Sequence, residues 1–199
     1  NPENTVVKKR SFGNDSAKVA ALSQKVLDGL QEENVYGVIK HFPGHGATAG
    51  DTHEGYAYTD KSLEELEQQE LVPFQNAIEN HIAIIMAGHI SVPNVTGDNT
   101  PSSLSKIMIT DVLREKMGFD GIVITDALNM GAISQHYSSA EVSVKVIEAG
   151  GDMLLMPENF QEAYQGILEA VQNGTLTEER IDESVRRILK VKEKLTAED

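Results

Sequence analysis

Two groups of residues in this sequence have types and spacings that suit proton transfer or acid–base chemistry. The first lies in KHFPGHGATAGDTHEG, residues 40–55, which holds three histidines among four glycines and a proline. There Asp51 precedes His53 by two residues, so its carboxylate can accept the ring N–H and raise the basicity of the other nitrogen. The second is Asp126, a carboxylate that directly follows the apolar run GIVIT. The first group therefore predicts a proton shuttle that works near neutral pH.

A metal site and a phosphate-binding loop are the rival interpretations of this stretch. His41 and His45 are four residues apart, as in helical zinc motifs, but Pro43 and Gly44 between them exclude the helix that such motifs need. The glycines around His45 could offer N–H groups to phosphate, but the P-loop spacing and a following helix are missing. We therefore expect neither a metal nor a cofactor.

The elements that must position these residues follow an alternating pattern. Four short apolar runs are typical of buried parallel strands: VYGVIK (35–40), IAIIMA (82–87), GIVIT (121–125) and DMLLM (152–156). Helical patterns precede, separate and follow them: 15–31, a capped helix that opens at Ser62 and is interrupted by Pro73, 103–116, 140–149, 158–172 and 178–195 with Thr177 as its cap. This order predicts a parallel α/β sheet in one domain, residues 1–199. By strand count alone an open sheet is favoured, because a closed (β/α)₈ barrel needs eight strands.

Titratable side chains follow the carboxyl ends of successive strands, which is the edge where parallel α/β folds bind ligands. They are Lys40 and His41, then His89, Asp126 and Glu158. Asp126 could instead be a helix N-cap, and Asp51 with His53 could be a solvated loop pair. No role is predicted for His89.

Charge and composition exclude several classes of partner. The net charge is −14, which argues against nucleic acid and anionic membranes and favours a neutral or cationic small substrate. The sequence has no cysteine and no apolar run of membrane-spanning length, and neither observation decides the compartment.

Taken together, NPENTVVKKRSFGND, KHFPGHG, DTH and ITDALNMGA occur in the order found in family 3 glycoside hydrolases, and the chain most resembles their bacterial β-N-acetylhexosaminidase branch. The resemblance implies the later part of a (β/α)₈ barrel of the TIM type rather than an open sheet. It also implies that the amino-terminal strands are missing, so we expect the chain to be a fragment.

The same resemblance implies a role for each matching residue. Asp126 matches the nucleophile of a retaining mechanism, His53 the general acid/base, and Asp51 its partner in a dyad. Lys40, His41 and Arg10 match residues that bind the sugar, and His45 is expected to stabilise the loop. The expected reaction is hydrolysis of terminal N-acetylglucosamine from cell-wall or chitin-type glycans, as in peptidoglycan recycling.

Two alternatives to this hydrolase remain open. One is a phosphorylase of the same branch, and the other is an inactive carbohydrate-binding remnant that lacks the first half of the barrel. The expected partners are a carbohydrate substrate together with either the missing amino-terminal part or a swapped second copy.

Overall fold

The structure is a computed structural model, and it describes residues 4, 6–7, 10–48 and 57–196. Its helices and strands alternate along the chain: α1 (Ser16–Glu32), β1 (Val38–Phe42), β2 (Ala57–Tyr58), α2 (Leu63–Gln68), α3 (Val72–Glu79), β3 (Ile84–Ala87), β4 (Ile90–Ser91), α4 (Pro93–Thr96), a 3₁₀ turn (Ser102–Leu104), a π-type helix (Ile107–Lys116), β5 (Ile122–Thr125), α5 (Gly131–Ser134), α6 (Ser139–Ala149), α7 (Phe160–Gln172) and α8 (Glu178–Thr196). No helix in these ranges is long and apolar enough to cross a bilayer.

The central sheet is parallel, with strand order β1–β3–β5. Val38 pairs with Ile84, and Ile84 pairs with Ile122, so the three strands end at one edge. A second small parallel sheet pairs β2 with β4. The main apolar core lies between the central sheet and its helices and includes Phe42, Ile85, Met108 and Val123. This confirms the predicted α/β class with parallel strands between helices.

Several predicted boundaries shift. The first strand begins at Val38 rather than at residue 35 and continues to Phe42, because its ladder follows the pairing of Val38 with Ile84 and of Phe42 with Ala87. The capping box of Ser62 and Glu65 is confirmed, since each side chain accepts from the other's backbone N–H.

The fourth predicted strand, 152–156, is wrong as a continuous strand. Only Met153 forms a bridge, to Ile124. Side chains replace the ladder bonds around it: Asp152 Oδ2 accepts from the N–H of Val123 at 2.9 Å, and Thr125 Oγ1 accepts from the N–H of Leu155 at 3.1 Å. An apolar run therefore lies along β5 without forming the regular pairing that defines a strand.

Asp152 also anchors the last helix. Its side chain is fully buried, and its oxygens lie 2.6 Å from Arg114 Nη2, 3.1 Å from Arg187 Nη1 and 2.7 Å from Ser184 Oγ. Arg187 and Ser184 belong to α8, so the carboxylate of Asp152 links this helix to the start of the apolar run 152–156.

Candidate active site

The carboxyl edge of the central sheet brings together His41 from β1 and Asp126 from the turn after β5. The distance from His41 Nε2 to Asp126 Oδ2 is 3.5 Å. The two side chains are 9% and 19% exposed, so the pair is largely buried but still reaches the surface at this edge. Sequence reasoning placed both residues at strand ends, and the structure brings them into contact.

The side chains of His41 and Asp126 meet across the end of β3, next to Gly88. This glycine directly follows β3, between the ends of β1 and β5, and its N–H donates to Phe42 O at 2.9 Å. A Cβ atom here would lie 3.0 Å from the Cβ of His41 and 3.2 Å from Ile90 Cδ1, which is closer than ordinary packing. The absence of a side chain at Gly88 therefore leaves the space that the Cβ of His41 needs.

Asp126 is held by its own backbone and that of its neighbours. Its N–H donates to Ala87 O at 2.8 Å, and its Oδ1 accepts from the N–H of Ala127 at 2.9 Å. Oδ2 is the oxygen that faces His41. The interpretation of Asp126 as a helix N-cap is wrong, because the next helix begins at Gly131 with Met130 at its N-cap position.

His41 is neutral at pH 7. Its pKa is lowered to about 4, mainly by burial, which outweighs the opposite effect of the Asp126 carboxylate, and to a smaller extent by Lys40, His45 and Arg10. The contact with Asp126 is therefore that of a neutral imidazole beside a carboxylate rather than an ion pair. A neutral ring has one N–H donor and one acceptor nitrogen, which suits hydrogen bonding to sugar hydroxyls.

Lys40 and Arg10 lie near this pair but are exposed. Arg10 Nη2 donates to Val6 O at 2.9 Å. The segment that carries Arg10 is attached to the loop after β1 through Asn4, whose Nδ2 donates to His45 O at 2.7 Å. Both cations therefore remain accessible beside the edge of the sheet.

His45 has the loop-stabilising contacts that were predicted. It is 5% exposed, and its Nδ1 lies 2.9 Å from Thr48 Oγ1, which in turn donates to His45 O at 2.9 Å. Its ring packs edge-on against the ring of His41, with centroids 5.6 Å apart. The turn between Pro43 and Thr48 therefore packs against the ring of His41 through His45.

Asp51 and His53 fall within residues 49–56 and lie outside the described residues. Among the residues that the structure describes, no group of three histidine or acidic side chains is arranged to hold a metal ion. A groove of about 570 Å³ between α1 and α3 contains none of the predicted site residues.

His89, which the sequence analysis placed at this edge without predicting a role, is buried beside the pair. It is 1% exposed and bonds both to Ser103 and to Ala127, next to Asp126. The sequence showed that His89 follows a strand, but not that its two partners would be Ser103 and Ala127.

Comparison with known proteins shows the family to which the chain belongs. Residues 1–191 match the model of the glycosyl hydrolase family 3 N-terminal domain. Beta-hexosaminidase A of Pseudoalteromonas piscicida is 31% identical to this chain over 98% of the chain and 36% of its own length. A family 3 beta-N-acetylglucosaminidase from Paenibacillus sp. str. FPU-7 superposes with a TM-score of 0.96 at 38% identity, covering all of this chain and 38% of its own.

A structure of the beta-glucoside phosphorylase BglX superposes with a TM-score of 0.93 at 32% identity, covering 99% of this chain and 37% of its own. The chain thus spans little more than a third of the length of each of these three proteins. The match to the family model covers nearly the whole chain, and we conclude that the chain belongs to glycoside hydrolase family 3.

Proposed function

We propose that the protein, at its full natural length, is a retaining β-N-acetylhexosaminidase that removes terminal N-acetylglucosamine from glycans. The observation that carries the proposal is the Asp126 carboxylate, which lies at the strand edge with one oxygen bonded to Ala127 N–H and the other beside neutral His41. The names of two similar proteins, a beta-hexosaminidase and a beta-N-acetylglucosaminidase, support the same reaction.

In the first step, a carboxylate oxygen of Asp126 forms a bond to the anomeric carbon of the sugar. The bond from that carbon to the glycosidic oxygen breaks, and the leaving oxygen takes a proton from His53. Asp51 would hold the imidazole of His53 in the required tautomer.

In the second step, water attacks the anomeric carbon and gives its proton to His53. The bond from that carbon to Asp126 breaks, which restores the carboxylate and releases the sugar with its original configuration. A histidine suits both steps, because its ordinary pKa allows it to give and to take a proton near neutral pH.

Substrate binding would involve Lys40, His41 and Arg10. The neutral ring of His41 can donate to one hydroxyl, while the exposed cations of Lys40 and Arg10 can donate to others. We propose cell-wall or chitin-type oligosaccharides as the source of the sugar, because these are polymers that carry N-acetylglucosamine.

The two edges of the central sheet indicate which partners the chain needs and that its barrel includes further strands. Within the described ranges, β1 pairs only with β3, and beyond β5 there is only the bridge at Met153. A (β/α)₈ barrel has no free edges. We therefore propose that residues 1–199 form part of a barrel completed by further strands, from the full-length protein or from a swapped second copy.

A phosphorylase is the second candidate. It is favoured by the similarity to a beta-glucoside phosphorylase and by the lower repulsion of phosphate by a histidine than by a carboxylate. The two reactions are distinguished by measuring turnover of an aryl N-acetylglucosaminide with and without phosphate, and by identifying the sugar product. Free N-acetylglucosamine at equal rates supports the hydrolase, whereas strictly phosphate-dependent release of the sugar 1-phosphate would contradict it.

Two further possibilities are tested by a binding measurement and by chelation. Binding of N-acetylglucosamine without any turnover would identify a non-catalytic carbohydrate-binding protein. Activity that survives exhaustive chelation would exclude a metal-dependent hydrolase that uses His41, His45 and His53.

A further inference from the structure

His89 connects the strand edge to the backbone beside Asp126. Its Nε2 lies 3.0 Å from the carbonyl oxygen of Ala127, and its Nδ1 lies 2.8 Å from Ser103 Oγ. Both His89 and Ser103 are 1% exposed. The pair therefore forms a buried contact from the 3₁₀ turn, through the end of β3, to the turn after β5.

The partners of His89 determine where its proton lies. A carbonyl oxygen only accepts, so Nε2 carries the hydrogen that binds Ala127 O. Burial lowers the pKa of His89, which keeps the ring neutral and leaves Nδ1 as an acceptor. The hydroxyl of Ser103 therefore donates to Nδ1, and the N–H of Ser103 donates to Gly88 O at 3.2 Å.

The bond to Ala127 acts on the segment that orients the Asp126 carboxylate. The peptide between Ala127 and Leu128 is held at both polar groups: its oxygen accepts from His89, and its N–H donates to Leu155 O at 2.9 Å. On its other side, the N–H of Ala127 donates to Asp126 Oδ1 at 2.9 Å. Any rotation of Ala127 would therefore move the donor that holds Oδ1.

We propose that His89, supported by Ser103, is a positioning residue that holds the carboxylate of Asp126 in the orientation required for attack on the sugar. The proposal rests on the proposed function, in which Asp126 is the nucleophile. The hydrogen bonds of His89 go to Ala127 and Ser103, so its positioning effect reaches the carboxylate through the backbone.

Two substitutions separate the two bonds of His89. In His89→Gln the amide nitrogen can occupy the place of Nε2 and donate to Ala127, whereas His89→Asn reaches only the place of Nδ1 and keeps the contact with Ser103. We expect His89→Asn to lower kcat by about 10- to 100-fold with KM changed less than about threefold, because a small misplacement of a reacting group slows chemistry that strongly. His89→Gln should retain most of the wild-type kcat.

The measurement is the steady-state turnover of an aryl N-acetylglucosaminide by the full-length protein, with Asp126→Asn assayed in parallel. Equal kcat values for His89→Asn and His89→Gln, or a change confined to KM, would overturn the positioning role alone. Turnover that survives in Asp126→Asn would overturn the proposed nucleophile, and the role of His89 with it.

Ser103 provides a second pair of variants if the histidine variants fail to fold. Ser103→Ala removes the hydroxyl that donates to Nδ1, and Ser103→Thr retains it. We expect Ser103→Ala to lower kcat severalfold at unchanged KM and Ser103→Thr to restore the rate. Equal kcat values for Ser103→Ala, Ser103→Thr and the wild type would contradict the proposal.

Discussion

Asp126 Oδ2 lies 3.5 Å from His41 Nε2, although the two residues come from different strands with β3 between them. The contact depends on parallel strands that end together and on Gly88, which directly follows the strand between them. It places a carboxylate and a neutral imidazole at the edge where parallel α/β folds bind ligands.

Substitution of Asp126 tests the nucleophile. Asp126→Ala should lower kcat for an aryl N-acetylglucosaminide by more than about 1000-fold, because an interaction needed in the transition state is lost. Added azide should then restore turnover by entering the vacated space and should give the glycosyl azide of inverted configuration. Asp120→Ala is the control, since this exposed carboxylate pairs only with Lys190 among the described residues. Wild-type activity in Asp126→Ala would exclude the assignment.

Substitution of His53 tests the acid/base. His53→Ala should slow substrates with poor leaving groups much more than activated aryl substrates, because only a basic leaving oxygen needs the proton. The check is kcat/KM for a series of aryl glycosides whose leaving groups differ in pKa. Equal slowing across the series would argue against general acid catalysis by His53.

Stability should depend on pH through His41. Its pKa is about 4 in the folded protein against 6.5 as the ordinary value, so between these pH values the unfolded chain binds the proton more tightly. This contribution is fully present above about pH 6.5 and is lost as the pH falls to 4, with a total of about 3 kcal/mol in the free energy of unfolding.

Denaturant unfolding of the wild type and of His41→Gln from pH 7 to pH 4 measures this contribution. The free energy of unfolding should fall less steeply with decreasing pH in the variant than in the wild type. His136→Gln, at an exposed histidine, is the control. Parallel pH curves for the wild type and His41→Gln would show that burial of His41 does not control stability.

Gly88→Ala should impair the site without changing any polar group. The added methyl would lie 3.0 Å from His41 Cβ, so His41 must shift by a few tenths of an ångström, and we expect kcat/KM to fall by about 10-fold. Gly29→Ala is the matched control, because Gly29 is in α1 with open space around it and alanine favours a helix. A Gly88→Ala variant as active as Gly29→Ala would contradict the close-approach argument.

Asp152→Ala should destabilise the fold strongly. It leaves Arg114 and Arg187 beside a buried position without their carboxylate, a change that typically costs about 3–5 kcal/mol. Asp182→Ala breaks an exposed pair with Arg186 and should cost less than about 1 kcal/mol. Thermal and denaturant unfolding compare the two variants, and equal losses of stability would argue against an anchoring role for Asp152.

The sequence by itself determined the local features. Apolar runs, helix periodicity and caps such as Ser62 gave the order of the three central strands and of the longer helices, because each depends on residues within a few positions of one another. The same reasoning placed His41 and Asp126 at strand ends. The family motifs added the interpretation of their chemistry.

Only the tertiary structure decided which of these residues meet. The contact between His41 and Asp126 depends on the register of three parallel strands and on the space at Gly88, and no local pattern contains that information. The apolar run 152–156 failed as a strand because the side chains of Asp152 and Thr125 take bonds that a neighbouring backbone would otherwise make. His89 gained its role in the same way, since its two partners come from segments that only folding brings together.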